Sequence, residues 1–238
     1  LFKIPILKKI FTFLKIMPIM RIRDGVSEVK KNDETMQKSI DVLLDKVPFC
    51  ILPEGTDRAM HSLLPLGKGI FRIALQTQEL LPNGTPLYIV PFGIEYGNFF
   101  RFRSTVLAQV GDPINVKEFL EAHPDTPVPV MMNEMKDILT QRMKDIIVYI
   151  PDDEHYDATY ELCAVMNNQY AKRYAKEHPS EKRRSLTTRY ACNKAIVNDI
   201  AELRRQNPEE AEKLFSLARK FHDKREKFLK SYVIMLIG

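Results

Sequence analysis

The stretch from Val47 to Gly69, VPFCILPEGTDRAMHSLLPLGKG, constrains this chain more than any other. Its first part, Val47-Pro48-Phe49-Cys50-Ile51-Leu52, is an apolar run bounded by turn residues, which predicts a short buried strand. The run ends in Pro53-Glu54-Gly55-Thr56, where the backbone must turn sharply and a glycine lets backbone N–H groups approach a ligand. Gly67-Lys68-Gly69 then opens an amphipathic helix. A helix start carries unpaired N–H groups and the positive end of the dipole, so a lysine there makes a natural anion site. Together these features fit a cradle for a small phosphorylated molecule. They also fit an ordinary strand–loop–helix connection, and local chemistry alone favours that plainer reading.

Upstream, residues 5 to 17 place Ile6, Leu7, Ile10, Phe13, Leu14 and Met17 at helical spacing, with Lys8, Thr12 and Lys15 on the other side. Pro18 stops that helix. Residues 1 to 23 carry Lys3, Lys8, Lys9, Lys15, Arg21 and Arg23 and no acidic residue, while the whole chain has a net charge of only +5. Cations mixed with Phe, Ile and Leu at helical spacing point to an anionic membrane surface, or to packing on a core, rather than to nucleic acid. A second helix is expected from Asn32, a fair N-cap followed by Asp33 and Glu34, with Met36, Ile40, Leu43, Leu44 and Val47 on its apolar face.

Four segments, in order, give a resemblance to the glycerolipid acyltransferases, the enzymes similar to 1-acylglycerol-3-phosphate acyltransferase. Leu52-Pro53-Glu54-Gly55-Thr56 resembles the family's F-P-E-G-T motif. Pro18-Ile19-Met20-Arg21 resembles its P-[IV]-x-R segment, Pro65 to Phe71 its P-F-K-x-G-[AI]-F segment, and Val90-Pro91 its V-P at a strand end. Val110-Gly111-Asp112-Pro113-Ile114 resembles a later V-G-x-P-I. The likeness covers roughly the first half of the chain.

That resemblance implies roles. Arg21 takes the position whose guanidinium binds the acceptor phosphate, a pairing that suits two parallel N–H bonds to two oxygens. Gly55 and Thr56 offer backbone N–H groups, and Arg58 and Lys68 add positive charge. Glu54 cannot hold a phosphate, since like charges repel, and is expected at the catalytic site accepting a hydrogen bond from an acceptor hydroxyl or fixing an arginine. Pro53 and Pro91 are motif residues that shape the backbone. The family has Arg after the Thr where this chain has Asp57, and Asp before the first Arg where it has Met20. These departures bear on acceptor identity more than on reaction type. Pro18–Arg23 and Phe49–Pro53, separated by one helix, are expected to pair in parallel, with their carboxyl ends on one sheet edge.

The family's base is the His of an H-x-x-x-x-D motif. Five places after His61, His123, His155, His178 and His222 stand Leu66, Val128, Tyr160, Arg183 and Lys227, so the motif is not in this sequence. We expect it upstream of Leu1 in a longer protein, with the chain as given inactive. His61, the only histidine near the turn, is expected to be a surface residue. The run Tyr232 to Gly238 fits either the start of a membrane segment or the buried end of a helix.

Beyond the turn, Gly67 to Leu80 reads as a helix, Pro86–Phe92 as a buried strand, Ser104–Val110 as an alternating strand and Met132–Ile147 as a helix. From Asp152 strand signals vanish, and 157–176, 182–205 and 208–231 read as helices. Asn207-Pro208-Glu209-Glu210 is a strong start signal. Tyr156, Tyr160, Cys163, Tyr170 and Tyr174 fall on one helix face and read as core. Cys50, Cys163 and Cys192 are far apart and form no metal-ligand or disulfide pattern; Cys50 reads as a buried small hydrophobe.

The expected fold is α/β: a mixed, largely parallel sheet flanked by helices over residues 1–150, then an all-helical extension over 151–238. The expected activity is acyl transfer from acyl-CoA or acyl-carrier protein to a hydroxyl of a phosphorylated glycerolipid acceptor, at the cytoplasmic face of an anionic membrane, with no cofactor, no metal and no nucleic acid. The alternatives are a non-catalytic lipid-binding module using the basic N-terminal helix, and a phosphate-binding enzyme of unrelated chemistry.

Overall fold

A computed structural model describes residues 5–16, 31–56, 58–98 and 101–237. It divides into two compact units. The first comprises Leu1–Thr56, Leu66–Ile89 and Pro113–Asp137; the second comprises Asp57–Pro65, Val90–Asp112 and Ile138–Gly238.

In the first unit, α1 (Pro5–Phe13), α2 (Lys31–Leu44) and α3 (Gly69–Leu80) precede strand β1 (Tyr88–Ile89). β1 pairs antiparallel with β4 (Ile114–Asn115), which runs straight into α4 (Val116–Ala122). Asn115 caps α4, its side chain accepting from the backbone N–H groups of Lys117 and Glu118. Ile40, Leu66, Phe71, Ile73, Leu75, Ile89, Ile114 and Val116 are buried and form the core. Two polar groups shape α3 and the turn after it. Buried Thr77 donates to Ile73 O at 2.7 Å. Gln78 donates to Thr85 O and accepts from Leu87 N, which ties down the Pro82–Thr85 turn.

The second unit holds the hairpin of β2 (Phe92–Tyr96) and β3 (Val106–Val110), the last part of α5 (Val128–Ile146), and the helices α6 (Tyr156–Glu177), α7 (Leu186–Gln206) and α8 (Pro208–Ile237). Its core is Ile150, Ala158, Leu162, Cys163, Ile196, Ile200, Ala211, Phe215 and Ala218, with Tyr156 and Tyr170 packed against it. The tyrosine stripe is thus partly core, while Tyr160 is exposed. The helix expected from Pro208 begins there: Asn207 Oδ1 accepts from Glu210 N, and its amide donates to the Glu210 carboxylate.

The mixed α/β character and the helical C-terminal region are as expected, but the largely parallel sheet is not seen. Among the described residues both ladders are antiparallel and two-stranded. Val47–Leu52 forms no strand; Val47 and Leu52 face solvent, and Cys50 is exposed rather than a buried hydrophobe. Pro48 and Pro53 lack the N–H donors a central strand requires. Its expected partner, Pro18–Arg23, lies outside the described residues. Pro91 splits the expected Pro86–Phe92 strand in two, leaving a short β1 and carrying β2 on to Tyr96. Tyr232–Ile237 ends α8, and no helix among the described residues is long and apolar enough to cross a membrane.

Candidate functional site

Leu52 to Gly55 closes as a tight turn in the first unit: Gly55 N donates to Leu52 O at 3.2 Å. Pro53 occupies the second place, where its fixed φ is favoured. Gly55 has φ +66°, the left-handed region that a Cβ disfavours. Nothing stands within 4 Å of where a Cβ would project, so backbone geometry rather than crowding calls for glycine, and space lies open beyond the turn.

The start of α3 is bonded to this turn. Gly67 N donates to Pro53 O at 2.8 Å. A Cβ on Gly67 would stand 3.3 Å from the same oxygen, so a bare backbone is what permits the approach. Lys68 is the N-cap of α3 with φ −74° and makes no side-chain cap bond, and the first turn of α3 holds no acidic residue. Lys68, Gly55 and Thr56 are exposed, and Glu54 is half-buried. The structure therefore sets the backbone of the Leu52–Gly55 turn against Gly67, the residue before the N-cap Lys68. Arg21, with its neighbours Met20 and Arg23, lies outside the described residues, as does Asp57.

Arg58 sits in the second unit. Its Nη1 donates to Asp152 Oδ2 at 2.6 Å and its Nη2 to Ser62 Oγ at 2.8 Å. His61 is half-buried and held by its backbone: its N–H donates to the Tyr156 hydroxyl at 2.8 Å, and its carbonyl accepts from Ile150 N. Burial raises the pKa of Tyr156, keeping that hydroxyl protonated. The His61 ring is 3.9 Å from the Glu95 carboxylate, beyond hydrogen-bond reach. Pro91 is fully buried in the second unit, where its carbonyl accepts from Gly111 N at 3.0 Å. No cluster of three or more metal-ligating side chains occurs among the described residues.

The class comes from comparison with known proteins. Residues 1–95 match the Acyltransferase family model, so the chain carries an acyltransferase domain there. More particularly, the chain is homologous to glycerol-3-phosphate O-acyltransferases. It is 31% identical over 122 residues to glycerol-3-phosphate O-acyltransferase 2 of Saccharomyces cerevisiae, a match covering 51% of this chain and 16% of that protein. It is also 31% identical over 107 residues to glycerol-3-phosphate O-acyltransferase 1 of the same yeast, covering 44% and 14%. An uncharacterized acyltransferase of Schizosaccharomyces pombe is 27% identical over 107 residues, covering 44% and 16%. The chain thus aligns with about one-sixth of the length of these relatives. No solved structure matches it.

Proposed function

We propose that this chain is part of an enzyme that transfers an acyl group from a thioester, acyl-CoA or acyl-carrier protein, to a hydroxyl of a phosphorylated glycerol acceptor. Glycerol 3-phosphate is the first choice and a lysophospholipid the second. In the step, an acceptor hydroxyl oxygen attacks the thioester carbonyl, a C–O bond forms, the C–S bond breaks, and the carrier thiol leaves with a proton. The observation that carries this reading is the 2.8 Å bond from Gly67 N to Pro53 O, which sets the start of α3 against the Pro53–Thr56 turn. A phosphate placed there meets the Lys68 ammonium and a positive helix end. Glu54, which would repel that phosphate, accepts a hydrogen bond from the acceptor hydroxyl. Arg21 supplies the guanidinium fork. The base is not drawn from an H-x-x-x-x-D pair in this sequence, since none of its five histidines has Asp at the fifth place. In this reading residues 1–150 are the acyltransferase part and 151–238 a helical extension. The basic amphipathic N-terminus holds the protein to the cytoplasmic face of an anionic membrane.

The test is steady-state kinetics of the intact gene product with glycerol 3-phosphate as acceptor. A charge-assisted phosphate contact is worth about 1.5–3 kcal/mol, so Arg21→Ala should lower kcat/KM by roughly 10- to 150-fold. Arg21→Lys should recover only part of that, because the fork is lost. Arg58→Gln should act on stability instead, since Arg58 is engaged with Asp152 and Ser62. An Arg21→Ala enzyme that still distinguishes phosphorylated from unphosphorylated acceptors as well as the parent does would refute the assignment.

A further inference from the structure

Beside the β2–β3 connection of the second unit lies an open cavity of about 700 Å³. Four arginines, Arg101, Arg103, Arg184 and Arg189, line it, and its lining includes no acidic residue. Arg189 is already committed: it donates to Gly97 O at 2.7 Å and to Tyr96 O, and stands 3.5 Å from the buried Glu95 carboxylate. The side chains of Arg101, Arg103 and Arg184 have no hydrogen-bond or ion-pair partner among the described residues. Converging guanidinium groups repel unless an anion stands between them.

The described ends of this connection are tied to each other. Gly97 N donates to Thr105 O at 2.8 Å and Asn98 N to Ser104 Oγ at 2.6 Å. A Cβ on Gly97 would come within 2.4 Å of Thr105 Oγ1, so a side chain there would have to displace that hydroxyl. Arg103 has φ +59°, a left-handed conformation that residues with a side chain rarely adopt and that clusters at binding sites.

One apolar side chain adjoins this charge. Phe102, which lines the cavity between the two loop arginines, is 90% exposed. The exposed face of the ladder, with Phe92, Ile94 and Tyr96, is turned away from Arg189, toward which Glu95 points from the other face. A soluble phosphate ligand has no use for an exposed aromatic side chain at its rim. A bilayer surface does, because it offers phosphates and an acyl boundary a few ångströms apart.

We propose that the β2–β3 hairpin docks on an anionic phospholipid bilayer, with the arginine-lined cavity receiving a headgroup phosphate and Phe102 entering the acyl boundary. This does not depend on the acyl-transfer reading. The sequence contains no tryptophan, so Phe102→Trp introduces a single reporter at an exposed position. Its emission should shift to the blue and be quenched by brominated lipid when the chain meets phosphatidylglycerol vesicles, and much less with phosphatidylcholine. Each cation at an anionic surface is worth about fivefold in partitioning. Adding Arg101→Gln and Arg103→Gln should therefore weaken the response by about 25-fold, and high salt should mimic that loss. Arg184→Gln, read by vesicle sedimentation of the otherwise unchanged chain, gives an independent measure, expected at about fivefold weaker binding. Unshifted emission while the chain still sediments with vesicles would overturn the proposal, since the contact would lie elsewhere. An equal response to neutral and anionic vesicles would overturn the headgroup assignment. A response to adenosine 3′,5′-bisphosphate but not to vesicles would replace the bilayer with a soluble phosphate ligand.

Discussion

Glu161 is the most buried carboxylate among the described residues, with 1% of its side chain exposed, on the helix that carries Ala158, Leu162 and Cys163 of the second unit's core. Arg225 donates to its Oε2 at 2.8 Å, and His222 Nδ1 stands 3.1 Å from the same oxygen. Glu161 Oε1 and Arg225 Nε are buried without a partner. The pair links α6 to α8, yet it is an incompletely satisfied ion pair, and such pairs contribute little net stability while being costly to break. Removing only Arg225, as Arg225→Met, leaves a desolvated carboxylate with the His222 ring as its neighbour. That costs about 3–5 kcal/mol in a closed site. Arg225 is 38% exposed, so water follows it in, and we expect about 2–3 kcal/mol. Glu161→Leu removes the charge and the orphan Oε1 together and leaves the partly exposed Arg225 to water, so it should cost less than about 1 kcal/mol. Urea unfolding followed by circular dichroism measures both, with the shift confined to the helical bundle. If Glu161→Leu proves as damaging as Arg225→Met, the pair is a net stabiliser and this reasoning fails.

The turn and the thiols give two further tests. Gly55→Ala should cost about 1–2 kcal/mol, because φ +66° is strained for any Cβ, while Gly55→Asn should cost less; equal urea midpoints for Gly, Ala and Asn would show that the turn is not held in that conformation. Burial pushes the Cys163 thiol up to about 12 and raises that of Cys192, whereas Cys50 is exposed. One thiol should therefore react quickly with a disulfide reagent at pH 8, and two only after unfolding. The raised Cys163 value gives stability that is present below its ordinary pKa of 9.0 and lost between there and about 12. A thermal midpoint that does not fall over that range, or fast labelling of Cys163, would contradict its burial.

What the sequence made legible depended on how far apart the determinants lie. The three long C-terminal helices follow from a 3.6-residue period repeated over many turns and from local caps such as Asn207, where one side chain meets the backbone three residues on. The short strands have no such redundancy. Phe92, Ile94 and Tyr96 alternate with Gly93 and Glu95, and composition alone would turn the aromatic set inward. The structure does the reverse. Gly93 faces in because a Cβ there would stand 3.0 Å from Ile146 O, and Glu95 faces in toward Arg189, 94 positions away. No local signal encodes either fact.

The turn was legible for the opposite reason. Those members of the candidate site that lie among the described residues fall within Pro53–Lys68, and the turn chemistry of Pro53 and Gly55 is local enough to read directly. What could not be read was how the two halves of that stretch meet, since the intervening residues could have carried α3 anywhere. The meeting depends on Gly67, whose missing Cβ lets its N–H reach Pro53 O. A Cβ at that position would stand 3.3 Å from the oxygen, so Pro53 or the start of α3 would have to give by a few tenths of an ångström. Glycine at residue 67 therefore belongs to the joint between the turn and α3, which nothing local to the turn announces.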